Sequence, residues 1–420
     1  MRLAVLTAAV ALTAVACGSS SKSSSTPTTR ASSGTASGSA ASSGSTAAGS
    51  AATGTPYPLG VISSDTGIGG SSSDVSTPVH DWVNYTNSHG GINGHPVKLM
   101  YFDDGDSAAR AASDGAALVA DHVMAIMDAS FVNNAFQKEA DAAKIPVLSL
   151  TGSGQSTLYF TDPNFFANST TVLANLYAQI YAAKYAGAKS YALLYCSEDP
   201  NCAQAVPLEK LDAKAEGVNL NYTAAFSSSA PNYLAQCLDA KSAGSQSMFI
   251  AASNAPAIER VASDCASQGY VPIEITASGT VPDSALSKPG FNKNNVVGEV
   301  NTFPYFLNDT PATMLFHQVM SAYLPNAQRP TVVAAVWTGM ELFAAAVANA
   351  TGSPSAQSVY NGLYALNGST LNGLAPPLTF KAGQPNVINC FYLIRSSDGK
   401  YIAPQGDTPI CVTPPAIPGT

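Results

Sequence analysis

From residue 57 onward, apolar and polar positions follow two patterns along the chain. Short apolar runs such as Pro58–Ile62, Val97–Phe102 and Val123–Met127 predict buried strands. Between them lie longer stretches, such as Ala108–Asp121, whose apolar spacing predicts helices. Strands that alternate with helices of about ten to fifteen residues predict a parallel sheet with helices on both faces.

The same alternation resumes near residue 190. Tyr191–Tyr195, Met248–Ala251 and Ile273–Thr276 are predicted strands, and Leu208–Glu216 and Ala255–Gln268 are predicted helices. The predicted fold class is therefore α/β, with two doubly wound parallel-sheet lobes joined by crossing strands.

Two segments are predicted to cross between the lobes, Phe165–Ser169 and Val296–Val300. They place residues 57–164 and 304–360 in the first lobe, and residues 165–303 and 361–420 in the second. The last part of the chain is predicted to return to the second lobe as a hairpin made of Leu378–Lys381, Ile388–Arg395 and Tyr401–Ile402.

The run Val332–Ala350 is long and apolar, but Thr338, Glu341 and Asn349 interrupt it. These polar residues favour a buried helix of the first lobe over a membrane span. Trp82, on the helix that precedes the first glycine turn, either packs against the sheet or covers a ligand.

The first residues have the pattern of a secretory signal, with Arg2 before an apolar run from Leu3 to Val15. The run ends on small residues directly before Cys17 and resembles a bacterial lipobox, so residues 1–17 are interpreted as a lipoprotein signal with Cys17 as the lipidated residue. An ordinary signal cleaved after Ala16 is the alternative. Residues 18–56 consist mainly of Ser, Gly, Ala and Thr, and predict a disordered tether.

Only 11% of the residues are charged and the net charge is −8, without a basic stripe. This composition argues against binding to nucleic acid. No Ser–His–Asp order, paired-carboxylate motif or phosphate-binding loop is present, so we expect neither an enzyme nor a cofactor. The histidines are scattered and no C-x-x-C pair occurs, which argues against a structural metal site.

Six cysteines remain when Cys17 is set aside, and an even number in an exported chain predicts disulfides. Six cysteines allow fifteen pairings. Proximity along the chain suggests three local pairs: Cys196–Cys202, Cys237–Cys265 and Cys390–Cys411.

The stretch Gly90–Leu99 combines a helix stop, a tight turn and a strand start. Gly90 and Gly91 can take the left-handed conformation that ends helices, and Asn93-Gly94 favours a turn. The sequence Gly-Gly-Ile-Asn-Gly resembles a signature of the leucine/isoleucine/valine-binding type of solute-binding proteins, which are type I periplasmic binding proteins. The order of predicted elements extends this resemblance over nearly the whole chain after the tether.

In open parallel sheets, ligands bind at the carboxyl ends of the strands, where helix N-termini face the ligand. In the first lobe these positions include Thr66, Ser130 and the triplet Thr151–Ser153, whose hydroxyls suit a carboxylate or another small acceptor group. The resemblance implies that Ser130 and Thr151, Gly152 and Ser153 hold the ligand. The alternative is that Ser130 and Ser153 only cap helices. Asp103-Asp104 either supports acid or cation chemistry, or ends a strand and caps the helix that starts near Ser107.

The second lobe departs from the amino-acid-binding pattern. Ser253-Asn254 follows a strand where the family often offers an aromatic residue, and Ser278 stands where its acid meets the ligand's ammonium group. Glu198 or Asp199 could replace that acid if their loop folds into the cleft; otherwise they are exposed to solvent.

The resemblance implies an exported, lipid-anchored monomer that closes two lobes on a small polar ligand, an amino acid or a related amide or carboxylate. It also implies a partner, the membrane permease of an ABC importer. A ligand-binding module that reports to a membrane receptor without transport is the alternative function.

Overall fold

The computed structural model describes residues 52–67, 72–151, 156–197, 200–252, 255–291 and 294–415. The first lobe begins with a five-stranded parallel sheet in the order β2-β1-β3-β4-β5. Its elements are β1 (Tyr57–Ser63), α1 (Ser72–Ser88), β2 (Val97–Asp103), α2 (Ala108–Ala120), β3 (Ala125–Ala129), α3 (Gln137–Ala143), β4 (Val147–Ser149), α4 (Leu158–Thr161) and β5 (Phe165–Phe166).

The glycine turn between α1 and β2 has the predicted backbone. Gly90 and Gly91 have φ of 97° and 69°, and Asn93 and Gly94 have φ of 53° and 83°. A Cβ at Gly91 would lie 2.2 Å from the carbonyl oxygen of His95, so glycine is required there both by conformation and by space.

The second lobe is built on a mixed sheet in the order β14 (Lys400–Ile402), β13 (Cys390–Ser397), β10 (Val296–Val300), β9 (Ile273–Thr276), β8 (Ser247–Ala251), β6 (Ser190–Cys196) and β7 (Asn219–Phe226). Its first part comprises α5 (Val172–Tyr185), β6 (Ser190–Cys196), α6 (Pro200–Glu216), β7 (Asn219–Phe226), α7 (Leu234–Ser242), β8 (Ser247–Ala251), α8 (Ala255–Ser267), β9 (Ile273–Thr276) and β10 (Val296–Val300). Successive residues of β6 enter different cores, Leu193 on one face and Leu194 on the other. Both faces are covered, as a doubly wound sheet requires.

The chain then returns to the first lobe as α9 (Pro311–Met320), α10 (Pro330–Val347), α11 (Ala356–Ala365), β11 (Asn367–Ser369) and β12 (Leu378–Thr379). Helix α10 is long and apolar enough to cross a membrane, but most of it is buried in the first-lobe core, as expected for a core helix. Trp82 is also buried there, and its Nε1 donates to Glu341 Oε1 at 2.8 Å. Trp82 therefore packs inside the lobe.

Two predicted boundaries between the lobes need correction. Phe166 pairs with β4 and packs edge-on against Phe380, and Leu363 and Ile388 are buried in the same core. Residues 361–388 thus pack with the first lobe, and β5 belongs to its sheet. The contact of Phe166 with Phe380 joins two distant parts of the chain, and local patterns of apolar residues do not relate such parts.

Only the final part of the predicted closing hairpin lies on the second lobe. It consists of β13 (Cys390–Ser397), β14 (Lys400–Ile402) and β15 (Ile410–Cys411). Strand β13 pairs antiparallel with β10, whereas Leu378–Thr379 pairs with β11 in a separate two-stranded sheet.

Three chain segments connect the lobes side by side. The backbone N–H groups of Thr170 and Thr171 donate to the carbonyl oxygens of Asn301 and Ile388, respectively. Thr170 Oγ1 donates to the carbonyl oxygen of Cys390 at 2.6 Å. The connection is therefore a narrow, hydrogen-bonded bundle of extended chain, a geometry that suits a hinge.

Candidate functional site

The carboxyl ends of β1, β2 and β3 form one edge of the first-lobe sheet. The N–H of Asp104 donates to the carbonyl oxygen of Ser63, and the N–H of Ser64 donates to that of Ala129. These bonds hold the loops that follow the three strands against one another, so the predicted residues Thr66 and Ser130 share this edge.

Asp104 lies at the centre of this edge with no exposed surface. Its carboxylate accepts hydrogen bonds from Ser130 Oγ at 2.5 Å and from Ser64 Oγ at 2.7 Å. The N–H of Asp106 donates to it as well, at 2.9 Å. The hydroxyl hydrogen of Ser130 is therefore directed at a buried carboxylate, and its oxygen accepts from the N–H of Val132 at 3.1 Å.

Thr66 is held in the same way by the neighbouring carboxylate. Its Oγ1 and N–H donate to Asp103 at 2.7 and 3.2 Å, and the N–H of Gly105 donates at 3.0 Å. Burial raises the pKa of Asp103, but these donors outweigh it and bring the pKa below its ordinary value. Asp65 accepts from Ser63 Oγ and Tyr101 OH, while burial raises its pKa.

This arrangement leaves one expectation as a prediction and corrects another. The hydroxyls of Thr66 and Ser130 donate to aspartates, and their role in holding a ligand stays a prediction. Asp103 and Asp104 do not cap α2, because Ser107 is its N-cap and accepts from the N–H of Arg110.

Asp128 lies in β3 and binds Ser130 at this edge through the N–H of Ser130. Asp128 is not among the candidates predicted from the sequence. It is fully buried and accepts from Ser130 N at 2.8 Å, Asn133 Nδ2 at 2.8 Å and Tyr159 OH at 2.6 Å. Burial raises its pKa to about 6 although these donors lower it. Its signal in the sequence is an acid within an otherwise apolar strand, which in a folded protein requires partners.

Thr151 reaches the same edge, after β4. It is partly buried, and its N–H lies 3.5 Å from the carbonyl oxygen of Asp128. Gly152 and Ser153 lie outside the described residues, as do Glu198, Asp199, Ser253, Asn254 and Cys17.

In the second lobe, Ser278 lies in the loop after β9 and has a positive φ of 48°. Its N–H donates to Glu299 Oε1 at 2.6 Å, and its carbonyl oxygen accepts from Thr331 Oγ1 at 2.5 Å. Because Thr331 belongs to α10 of the first lobe, Ser278 lies where the two lobes meet. A Cβ on the next residue, Gly279, would lie 2.4 Å from Thr331 Cγ2.

Glu299 on β10 is the second residue that the sequence reasoning missed. It has no exposed surface, and Asn175 Nδ2 donates to its Oε1 at 2.9 Å. Within the described part of the chain, its Oε2 has no hydrogen-bond partner. Burial raises its pKa to about 8, although its donors lower it. Its signal is again an acid inside an apolar strand, Val296–Val300.

All three cysteine pairs suggested by proximity are disulfide-bonded in the structure, and all three are in the second lobe. Cys196–Cys202 joins the end of β6 to α6, Cys237–Cys265 joins α7 to α8, and Cys390–Cys411 joins β13 to β15. Among the residues that the structure describes, no group of three His, Cys, Asp or Glu side chains is arranged to hold a metal ion.

Comparisons with known proteins agree with this architecture. A family model described as "periplasmic binding protein" matches residues 56–400. No curated protein matches the sequence.

Several solved structures share the fold at low sequence identity. An extracellular ligand-binding receptor from Verminephrobacter eiseniae has a TM-score of 0.69 at 15% identity, over 83% of this chain and 99% of that chain. A fatty acid ABC transporter substrate-binding protein from Thermomonospora curvata has a TM-score of 0.67 at 16% identity, over 85% and 93%. The branched-chain amino acid-binding protein LivJ from Streptococcus pneumoniae, in complex with isoleucine, has a TM-score of 0.65 at 15% identity, over 83% and 98%.

The family match covers most of the chain, and these relatives have the same α/β architecture, which confirms the predicted fold class. The chain belongs to the periplasmic binding protein family and has the type I fold of the leucine/isoleucine/valine-binding proteins.

Proposed function

We propose that this protein is the extracytoplasmic solute-binding component of an ABC importer, and that it binds a small ligand between its lobes. The observation that carries the proposal is the contact of Thr331 with Ser278, which brings the carboxyl edge of the second-lobe sheet against the first lobe beside three adjacent crossing segments. Carboxyl edges are where open α/β sheets bind ligands, and a narrow hinge lets two lobes close on one.

The names of solved relatives support a proposal for the ligand class. Their names state a fatty acid transporter, a complex with isoleucine and, for a protein from R. palustris, a complex with 4-hydroxybenzoate. Isoleucine, 4-hydroxybenzoate and fatty acids all carry a carboxylate. We infer that this chain binds a small carboxylate, with Thr151 and Ser278 among its contacts. Gly152, Ser153, Asp199, Ser253 and Asn254 are further candidates for the contacts.

A thermal-shift panel tests the function. The purified chain is heated with isoleucine, 4-hydroxybenzoate and octanoate, with the amide of each, and with neutral sugars as an unrelated class. A ligand present at 100 times its Kd adds about 2.7 kcal/mol to the free energy of unfolding, and so raises the melting temperature by a few degrees. Failure of every compound to raise it would count against small-molecule binding of these classes.

We also propose that Cys17 carries lipid and that residues 18–56 act as a tether between the membrane and the lobes. The support is the sequence Ala14-Val15-Ala16-Cys17 after an apolar run. In Cys17→Ser, the protein should move from the membrane fraction to the soluble fraction. Wild-type protein that is already soluble and has no lipid mass would contradict the anchor.

A further inference from the structure

The first-lobe sheet reverses its strand order between β1 and β3. From β1 the chain adds β2 on one side of β1, and it then crosses to β3 on the other side. The helices that follow diverge, since α1 packs against α10 and α2 packs against α3. The loops after β1 and β3 therefore border a crevice at the carboxyl edge, and open α/β sheets bind their ligands in this crevice.

Phe131 lies at this switch point, two residues after the end of β3. Its N–H donates to Ser64 Oγ at 3.0 Å, and Ser64 directly follows the last residue of β1. The N–H of Ser64 in turn donates to the carbonyl oxygen of Ala129. The backbone of Phe131 is therefore bound to both loops that border the crevice.

The side chain of Phe131 is outside the first-lobe core. Ala129 is buried in that core and Val132 packs against it, whereas Phe131 is 44% exposed. Of the large apolar residues that are exposed in the described ranges, only Phe131 lies within two positions after the end of a parallel strand. Single exposed apolar residues are common on protein surfaces, but one held at a switch point is open to the ligand crevice.

The polar side chains beside Phe131 are bound to one another. Ser64 Oγ and Ser130 Oγ both donate to the buried carboxylate of Asp104. The phenyl ring needs no such partner, and an apolar group that packs on it gains free energy in proportion to the apolar area removed from water. An apolar group of a ligand is therefore favoured at Phe131.

We propose that Phe131 determines specificity by binding the apolar group of the ligand at the switch point of the first lobe. This inference rests on the proposed function and narrows the ligand class to carboxylates that carry an aliphatic chain or an aromatic ring. A phenyl ring packs well against both kinds of group, and its geometry adds a preference for offset or edge-on aromatic partners.

The test uses pairs of carboxylates that differ in the size of the apolar group: octanoate with butanoate, isoleucine with alanine, and 4-hydroxybenzoate with acetate. Calorimetry measures their affinities for the wild type, Phe131→Ala, Phe131→Leu and Tyr185→Ala. Tyr185→Ala is the matched control, because Tyr185 is an aromatic residue of similar exposure, 45%, at the end of α5 in the second lobe.

We expect the wild type to bind the larger member of at least one pair at least tenfold more tightly than the smaller member. Phe131→Ala should weaken that larger ligand by about tenfold, since each CH₂ group that loses its apolar contact costs about fourfold in affinity. The smaller ligand should change less than about twofold, because it has little apolar area to lose. Phe131→Leu should lie between the wild type and Phe131→Ala, and Tyr185→Ala should bind as the wild type does.

The inference is wrong if Phe131→Ala binds the larger ligand as tightly as the wild type. It is also wrong if both members of a pair weaken equally, as expected of a residue that only helps the lobes to close, or if the wild type prefers no larger member. In these cases ligand binding, and with it the proposed function, still stands. If no compound binds the wild type, the proposed function fails and takes this inference with it. Melting curves without ligand verify folding, and should Phe131→Ala not fold, Phe131→Leu decides by the same comparison of larger with smaller ligand.

Discussion

In the first lobe the buried carboxyl groups accept hydrogen bonds from several donors, whereas in the second lobe one oxygen of Glu299 has none within the described residues. Asp104 accepts from Ser64, Ser130 and Asp106, and Asp128 accepts from three further donors. Glu299 has donors on Oε1 only, and its Oε2 has no partner within the described residues. A buried carboxylate keeps its charge where donors surround it, and prefers to hold a proton where they do not.

The lobes also differ in what stabilises them. All three disulfides lie in the second lobe, and the one remaining cysteine of the chain is Cys17. The first lobe relies on the apolar contacts of α10 and on its aspartate networks. Loss of a cross-link should therefore affect the second lobe, and loss of a carboxylate the first.

The largest expected effect comes from the disulfide of the longer loop. Cys237→Ala with Cys265→Ala removes a link across 28 residues and should lower the free energy of unfolding by about 3.5 kcal/mol through the entropy of the unfolded chain. The matched pair Cys196→Ala with Cys202→Ala spans 6 residues and should cost about 2 kcal/mol. Urea unfolding measures both, and equal losses would contradict the dependence on loop length.

Asp128→Asn should lower the free energy of unfolding by about 3 kcal/mol, because in either orientation of the amide its NH₂ would face a donor, either the N–H of Ser130 or the donors of Asn133 and Tyr159. Its counterpart in the second lobe, Glu299→Gln, replaces an oxygen without a partner and keeps the acceptor for Asn175 and Ser278. It should cost less than about 1 kcal/mol. Chemical unfolding of both variants tests the contrast; similar losses would show that the two sites do not differ.

The pH dependence of stability should reveal the raised pKa of Glu299. Its pKa in the folded protein is raised to about 8 from 4.5, so the folded state binds more protons than the unfolded state between these values. Glu299 therefore adds to the free energy of unfolding at low pH. This contribution falls as the pH rises toward 8, by at most about 1.4 kcal/mol per pH unit. Subtracting the curve of Glu299→Gln from that of the wild type isolates this fall. A flat difference would mean that Glu299 is charged when buried.

The last contrast concerns a single donor, the hydroxyl of Ser130. Ser130→Ala removes one donor to Asp104, which keeps those from Ser64 and Asp106, and should cost about 1.5 kcal/mol of stability. Because its hydroxyl faces the aspartate, the affinity for a carboxylate ligand should be unchanged. A stability loss measured by calorimetry together with a tenfold loss of affinity would instead place Ser130 in the binding site.

Much of the architecture is readable from local patterns. The predicted strand Val97–Phe102 is observed as Val97–Asp103, and the predicted helix Ala108–Asp121 as Ala108–Ala120. Gly90 and Gly91 have the left-handed backbone that ends the preceding helix. Strand runs, helical spacing and turn residues act over a few positions, which is why the sequence alone determined the alternation, the fold class and the family.

Tertiary structure decided which side chains meet. The hydroxyl of Ser130 lies against Asp104, 26 residues earlier, and the carbonyl oxygen of Ser278 against Thr331, 53 residues later. Nothing in the local pattern of hydrophobic and polar residues records such pairs, because a hydrogen bond needs only proximity in space. The same reason applies to the placement of residues 361–388, which depends on contacts with elements far away in the chain.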